Sequence, residues 1–260
     1  MFPVILSVAG FDPGGGAGLQ ADLLTGSALG VHVCTAVTAL TVQDSVEVHS
    51  VRVLDPLYTR DQMEVLMADF SVSVVKLGML GSAAMGRMLA GFLDRHPDVP
   101  VVLDPILRSG GGQLLSGPDL EKILLSELLP RVHVLTPNAP EILSLSGADD
   151  LDEAARILAE CGVEWILVSG GHGAGVNIDN RLYRHGVLHD RFVQERLPGV
   201  FHGSGCTLST AIAAGLAHGR RVPEAVDAAL AFTARAVAHA RALGRGQLFL
   251  DRAAFLSGDA

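Results

Sequence analysis

The sequence predicts a three-layer α/β/α sandwich with a mostly parallel central sheet. Six apolar runs of strand length alternate with segments of helical periodicity along the 260 residues. Two glycine clusters, one early and one late in the chain, suit a cleft at the carboxyl edge of such a sheet. Because strand–helix–strand crossovers are right-handed, this alternation builds a parallel sheet with helices on both faces. We expect a single domain over residues 1–260.

The composition excludes several classes of protein. A net charge of −9 argues against a nucleic-acid or anionic-membrane partner, because both require a basic surface. No apolar run approaches the ~20 residues that cross a membrane, and residues 1–10 lack the basic start of a signal peptide. The three cysteines have neither disulfide-framework nor zinc spacing. We therefore expect a cytoplasmic protein that binds small molecules.

The first predicted strand covers residues 3–9 and runs into the glycine loop 10–18. Residues 19–29 have helical periodicity, and Gly30 follows as a stop signal. The loop lacks the third glycine of a dinucleotide fingerprint and the lysine of a Walker A loop. It is better suited to admitting a small polar molecule than to binding a polyphosphate. The carboxylates within or beside it are Asp12 and Asp22.

Four further strands are predicted from apolar runs that end at glycine or polar residues. They cover residues 33–40, 72–77, 99–103 and 132–136, with a helix over residues 56–70. Parallel strands present their carboxyl ends at one sheet edge, so side chains there are candidates for ligand contacts. These candidates are Gln43, Met79, Asp104 and Glu141.

Each of these candidates has an ordinary structural alternative. Asn138 three residues before Glu141 is a helix-capping pattern, and the spacing alone favours that role, although a capping carboxylate can still hold a metal-bound water. Asp104 can equally cap the turn that follows its strand. Met79 is by default core filler, and Gln43 can be a solvated loop residue.

The last third of the chain adds a strand over residues 165–169, a hairpin over 181–197 and a helix over 222–243. The hairpin is expected to turn near His185 and Gly186.

The turn Gly203-Ser204-Gly205-Cys206 precedes a run of small, helix-forming residues. The two glycines leave the turn without bulky side chains, so it should lie at a helix N-terminus where free N–H groups form an anion hole. The same field should favour the thiolate of Cys206. The alternative is a helix cap with a small buried residue at Cys206.

These motifs together resemble the hydroxymethylpyrimidine/phosphomethylpyrimidine kinases of thiamine biosynthesis, within the ribokinase-like superfamily. The matching segments follow the family's order and cover nearly the whole chain: 9–22, 27–30, 38–41, 76–80, 104–105, 136–141, 170–172 and 202–209. The resemblance implies transfer of the γ-phosphoryl group of ATP to the hydroxymethyl group of 4-amino-5-hydroxymethyl-2-methylpyrimidine, with Mg²⁺. It leaves open a second transfer to the monophosphate, and it implies a homodimer.

The resemblance also implies roles for individual residues. Cys206 would be the base that accepts the proton of the alcohol, and Gly203, Ser204 and Gly205 would hold the moving phosphoryl group. The positions that match the family's pyrimidine pocket are Gly10, Ala17, Asp22, Gln43, Met79 and Ile106. Asp104 and Glu141 would lie on the magnesium side.

Two segments depart from the family pattern. Ser169 stands where the family has a lysine before Gly-Gly-His, and the loop 106–113 has three glycines where the family carries Ser-Gly-Asp. Because that lysine is thought to neutralise the transferred phosphate, Arg108 is either a compensating cation or a solvated loop residue. The departures keep two alternatives open: a pyridoxal or pyridoxine kinase, and a degenerate kinase that only binds a pyrimidine.

Overall fold

A computed structural model of the chain describes residues 2–107, 119–171 and 175–253. One sheet is built from nine strands: β1 (Val4–Phe11), β2 (His32–Gln43), β3 (Val48–Val53), β4 (Val74–Leu77), β5 (Val101–Leu103), β6 (Val134–Leu135), β7 (Trp165–Val168), β8 (Asn177–Arg184) and β9 (Val187–Glu195). Their order across the sheet is β3-β2-β1-β4-β5-β6-β7-β8-β9. In this order, the six central strands β2, β1, β4, β5, β6 and β7 are parallel to one another. At the two margins, β3 pairs antiparallel with β2, β8 with β7, and β9 with β8.

The helices follow the strands in the alternation that the sequence predicts. They are α1 (Gly18–Ala28), α2 (Pro56–Asp69), α3 (Ala83–Leu93), α4 (Leu120–Ile123), α5 (Ala139–Ser146), α6 (Leu151–Glu160), α7 (Ser204–Ala217) and α8 (Val222–Ala238). A π turn and a 3₁₀ turn extend α4 to Arg131. No helix of the described ranges is long and apolar enough to span a membrane.

Alternate side chains of each strand enter two separate cores, because successive residues of a strand point to opposite faces. On β1, Ile5 packs with residues of α7 and α8, whereas Leu6 packs with residues of α2, α3, α5 and α6. Val74 and Val75 divide in the same way on β4. The predicted three-layer sandwich is therefore confirmed.

The local patterns located most of these elements. All six predicted parallel strands are present, and the hairpin turns at His185 and Gly186, both of which have positive φ. The expected helix over 222–243 is too long, since α8 ends at Ala238. Beyond it, the backbone of Arg241 exchanges hydrogen bonds with Phe249, a non-local partner that periodicity cannot reveal.

A second, two-stranded parallel sheet lies next to α7. It is formed by β10 (Phe201–His202) and β11 (Leu248–Phe249), neither of which the sequence pattern predicted. Since β10 leads directly into the Gly203 turn, this small sheet connects residues 248–249 to the start of α7.

Candidate active site

The two glycine clusters are in direct contact. Gly203 has φ +79, and a Cβ on it would collide with the carbonyl oxygen of Gly16. A Cβ on Gly16 would in turn collide with the ring of His202. Only glycine permits this approach of the two loops. The expectation that both clusters meet at the carboxyl edge of the sheet is confirmed.

Asp12 organises the first glycine loop from inside. Its Oδ1 accepts a hydrogen bond from the N–H of Gly14 at 2.8 Å, and its Oδ2 accepts from Gly16 at 3.0 Å and Ala17 at 2.8 Å. The Nε2 atom of His202 lies 2.9 Å from the same Oδ2. Burial alone would raise the pKa of Asp12, but the His202 and backbone hydrogen bonds outweigh it and lower the pKa. The carboxylate is thus already paired by the protein.

Asp22 forms a fully buried ion pair with Lys76. The Nζ atom lies 3.0 and 2.9 Å from the two carboxylate oxygens, and Ser7 and Thr210 donate further hydrogen bonds at 2.6 and 2.7 Å. Burial would lower the pKa of Lys76, but the charge of Asp22 raises it above its ordinary value. Neither side chain has exposed surface. The expected contact of Asp22 with the pyrimidine is therefore not provided by this arrangement, in which Asp22 holds β1, β4, α1 and α7 together.

Cys206 lies on the first turn of α7, where the N–H of Gly18 donates to its sulfur. The residue is only 6% exposed. Burial, reinforced by the charges of Asp104 and Asp22, raises the pKa of the thiol to about 12, although Lys76 and the Gly18 hydrogen bond act in the opposite direction. The expectation that the helix N-terminus favours the thiolate is wrong for this structure, because loss of hydration outweighs the local positive field.

The N-terminus of α7 matches the predicted anion hole. Gly203 is the N-cap residue, and within the described chain no side chain caps the helix, so its first N–H groups have no intrahelical or capping partner. Asp104 lies beside this turn, with Oδ2 3.6 Å from the place a Cβ of Gly205 would take. Ser209 of α7 donates to the same carboxylate at 3.4 Å. An anion and a carboxylate-bound cation can therefore be held side by side here.

Glu141 and Asn138 form the capping box that the spacing predicts. The side chain of each accepts a hydrogen bond from the backbone N–H of the other, both at 2.9 Å. Burial and the nearby charge of Asp104 raise the pKa of Glu141 to about 8. Burial, with the charge of Asp22, raises the pKa of Asp104 to about 6 against the opposing effect of Lys76.

Two neighbouring carboxyl groups with raised pKa values suit a divalent cation. Its charge would stabilise both ionised carboxylates against their loss of hydration and against the repulsion between them. Among the described residues there is no cluster of three or more His, Cys, Asp or Glu side chains that could hold a metal. Mg²⁺ commonly binds one or two carboxylates plus substrate phosphates, so Asp104 and Glu141 fit that ion better than they fit a metal held entirely by protein ligands.

The predicted pyrimidine-pocket residues lie at the ends of neighbouring strands. A Cβ on Gly10 would be 2.8 Å from the Cε atom of Met79, so the Met79 side chain packs directly against the backbone of Gly10. Ala17 is the N-cap of α1, and Ile106 donates its N–H to the carbonyl of Asp104 at 2.9 Å. Gln43 ends β2, half-buried, and donates to the hydroxyl of Thr41 at 2.8 Å. The role of these residues as a substrate pocket stays a prediction.

On the β7 side, Ser169 donates its N–H to the carbonyl of Pro137 at 3.0 Å. Arg108 and His172 lie outside the described residues, so the expected compensation by Arg108 is not tested. The guanidinium of Arg196, which the sequence did not single out, donates to the carbonyls of Gly171 at 2.6 Å and Gly175 at 2.9 Å.

Some of the residues that build the site were missed by sequence reasoning. A lysine inside the apolar run 72–77 was a usable signal, because a charge in a buried strand requires a partner. His202 and Arg252 carried no local signal, since Asp12 and Gly16, which they contact, lie 190 and 236 residues away along the chain.

Comparison with known proteins adds the family context. A family model described as phosphomethylpyrimidine kinase matches residues 12–251. A hydroxymethylpyrimidine/phosphomethylpyrimidine kinase of Mycobacterium tuberculosis is 40% identical over 251 residues, covering 94% of this chain and 91% of the relative. The pyridoxal kinase of Staphylococcus aureus in complex with AMP-PCP and pyridoxal superposes with a TM-score of 0.89 at 26% identity, over 99% of this chain and 96% of that one. A phosphomethylpyrimidine kinase of Clostridium difficile gives 0.78 at 30% identity, over 90% and 99%.

Proposed function

Since the chain belongs to the phosphomethylpyrimidine kinase family, we propose that its cleft transfers the γ-phosphoryl group of ATP to the hydroxymethyl group of 4-amino-5-hydroxymethyl-2-methylpyrimidine. It is a kinase of thiamine biosynthesis that uses ATP. The roles of individual residues, the use of Mg²⁺ and the second phosphorylation are proposals.

The observation that carries this proposal is the contact between Gly16 and Gly203, which brings the first glycine loop against the uncapped N-terminus of α7. An acceptor alcohol bound beside the loop would then face the amides of residues 203–206. Phosphoryl transfer depends mainly on in-line positioning and on stabilising charge on the moving group. Amides fixed before the reaction supply both without reorganisation.

We propose that Cys206 lies beside the acceptor hydroxyl and takes its proton late in the transfer. With a pKa near 12 its thiolate is a minor form at neutral pH. A loose transition state needs little deprotonation of the nucleophile early on, so a base that acts after the new bond has begun to form is sufficient.

Asp104 and Glu141 would hold Mg²⁺, which when bound would neutralise charge on the nucleotide phosphates and on Asp104 itself. Because the charge of Asp104 is one of the causes that raise the pKa of Cys206, neutralising that charge would lower this pKa. Gly10, Ala17, Gln43, Met79 and Ile106 would enclose the pyrimidine. Asp22 would act indirectly, by fixing the first turn of α1 through Lys76.

A homodimer is part of the proposal. Its support is the exposure of large apolar side chains on the neighbouring elements α1 and β2, where a partner would cover them. They are Leu23, Leu24, Leu40 and Val42. Light scattering coupled to gel filtration tests this, with a monomeric mass contradicting it. The cytoplasmic location stays a prediction.

The second candidate activity is phosphorylation of pyridoxal, which the similarity to the pyridoxal kinase of Staphylococcus aureus favours. A pyrimidine-binding protein without turnover is the third, motivated by Ser169 in the place of the family lysine.

Steady-state kinetics with the pyrimidine, its monophosphate and pyridoxal as acceptors tests the proposal, with products followed by ³¹P NMR. We expect the pyrimidine to give a kcat/KM at least about tenfold above that of pyridoxal, the discrimination expected from one or two specific hydrogen bonds. A preference for pyridoxal would establish the second activity instead. Tight pyrimidine binding without turnover of any acceptor would establish the third.

A further inference from the structure

The C-terminal segment of residues 248–252, called here the C-terminal strap, holds the two glycine loops together. Its first residues pair with β10 in the small sheet. The ring of Phe249 packs edge-on against His202, with centroids 5.5 Å apart, and lies 2.8 Å from the place a Cβ of Gly16 would take. Arg252 ends the strap beneath both loops.

Arg252 carries a buried guanidinium whose hydrogen-bond partners in the described chain are all neutral. The residue is 4% exposed. Its Nε donates to the Thr207 hydroxyl at 2.9 Å, and its Nη2 donates to the carbonyl of Gly16 at 2.6 Å and approaches that of Gly203 at 3.5 Å. Burial lowers the pKa of Arg252, and the more distant charges of Asp22 and Asp12 offset only part of this effect. Arginine nevertheless stays protonated in proteins.

Burying a cation without a directly paired carboxylate lowers the stability of the folded protein. We therefore expect the buried Arg252 to have a role that offsets this loss of stability. One side chain connects the carbonyl of the first loop, the N-cap carbonyl of α7 and a hydroxyl on the first turn of α7. Gly203, the N-cap, also accepts from the N–H and the hydroxyl of Thr207, at 2.9 and 2.8 Å. The N-cap peptide is therefore held with its oxygen turned toward the guanidinium and the helix.

We propose that Arg252 is a positioning residue, which fixes the N-cap peptide of α7 against the first glycine loop and so orients the amides of residues 203–206 toward the transferred phosphoryl group. This inference rests on the proposed kinase function. The guanidinium acts through the backbone of Gly16 and Gly203 and touches neither substrate. Both carbonyl contacts come from Nη2, while Nε donates to Thr207 at the same time. A lysine ammonium has a single nitrogen and cannot reproduce the carbonyl contacts and the Thr207 contact together.

The test compares Arg252→Gln and Arg252→Lys with the wild type and with Arg241→Gln. Arg241 is a matched control, because it lies near the same strap but is mostly exposed and pairs with Asp251. With whichever acceptor the wild type phosphorylates, we expect kcat to fall about 10²-fold in Arg252→Gln, the usual effect of misplacing an oxyanion-type donor. The calorimetric Kd of the acceptor should change less than about threefold, since the pocket is formed elsewhere. Arg252→Lys should recover only part of the loss, and Arg241→Gln should match the wild type.

Hydrogen exchange gives a second readout that does not depend on turnover. In both Arg252 variants, peptides covering residues 14–18 and 202–207 should exchange faster, while the peptide of α8 should not change. A kcat within threefold of the wild type in a folded Arg252 variant would overturn the proposal, as would unchanged exchange in both loops. If Arg252→Gln does not fold, Arg252→Lys decides by the same two criteria. Absence of turnover in the wild type refutes the kinase function alone, and the exchange data then still decide on Arg252.

Discussion

The two sides of the cleft are stabilised in different ways. The loop side consists of residues 12–18 and 203–206, and its carboxylate, Asp12, is paired by the protein, as its lowered pKa reflects. The carboxylate side consists of Asp104 and Glu141, whose pKa values are raised to about 6 and about 8. Burial is the largest cause in both carboxyl groups, and they repel each other as well.

This difference indicates which ligand completes which side. A carboxylate already paired by amides and His202 gains little from a further cation, whereas a buried carboxyl group with a raised pKa is stabilised when one binds beside it. The protein therefore organises the loop side by itself. The cation that accompanies the nucleotide would complete the carboxylate side. The two sides are tested in turn, first by substitutions ordered from the largest expected effect to the smallest, and then by the pH dependence of stability.

The largest effect is expected from breaking the ion pair behind the loop side. Lys76→Met leaves Asp22 buried without its cation and should lower the free energy of unfolding by about 3–5 kcal/mol, measured by urea denaturation. Asp22→Asn combined with Lys76→Met should cost less than the sum of the single changes, because neither charge is then left unpaired. Additive costs, or a loss below about 1 kcal/mol in Lys76→Met, would show that the pair is not what holds this side.

Cys206→Ala tests whether the sulfur at the start of α7 takes part in the reaction. We expect kcat to fall roughly 10²-fold, the usual scale for loss of a general base, with the fold and the Kd of the pyrimidine retained. Cys161→Ala is the matched control, since Cys161 caps the C-terminus of α6 and makes no described contact with the site. A Cys206→Ala enzyme that turns over near the wild-type rate removes Cys206 from the mechanism.

A third comparison concerns charge on the carboxylate side, where Ser169 stands in place of the family lysine. If Arg108 compensates, Arg108→Ala should lose about tenfold or more in kcat, and Ser169→Lys should restore it in the double variant, since either cation can offset phosphoryl charge. Phosphorylation rates of the wild type, both single variants and the double variant decide this. Equal rates in wild type and Arg108→Ala would eliminate compensation.

The last prediction is a pH dependence of stability in the metal-free protein. Because the pKa of Glu141 is raised to about 8 in the folded state, the stability it contributes is complete below its ordinary value near 4.5 and is lost as the pH rises through 8. A Glu141→Gln variant has no carboxyl group at this position, so it does not lose this stability as the pH rises. In EDTA, its unfolding free energy should therefore improve relative to wild type between about pH 5 and about pH 9. A difference that does not vary with pH would mean that Glu141 titrates normally.

Local patterns were sufficient for the parts of the fold that depend on neighbours in sequence. Apolar runs located the six parallel strands, Gly30 marked the end of α1, and the Asn138–Glu141 spacing predicted the capping box that forms. The meeting of the glycine clusters followed from the rule that parallel strands share a carboxyl edge. These features require no knowledge of which distant residues pack together.

The features that were missed depend on long-range packing. Asp22 looked like an available carboxylate because Lys76, 54 residues away, gave no sign of its partner in the local sequence. The prediction of a thiolate at Cys206 took into account only the positive field at the N-terminus of the helix. The pKa of Cys206 is instead governed by its burial among the elements that pack around α7, which is not readable from a tetrapeptide. Arg252 reaches a loop 236 residues earlier, a contact that nothing in its local sequence indicates.

We infer that the loop side is organised before nucleotide or cation arrives. Calorimetric titration of the nucleotide-free enzyme with 4-amino-5-hydroxymethyl-2-methylpyrimidine, in EDTA and in excess Mg²⁺, tests it most directly. We predict that the pyrimidine binds in both conditions with Kd values within about twofold, and that Gln43→Ala weakens binding roughly fivefold in each, as expected for losing one hydrogen bond. Pyrimidine binding that is detectable only in excess Mg²⁺ would contradict this inference.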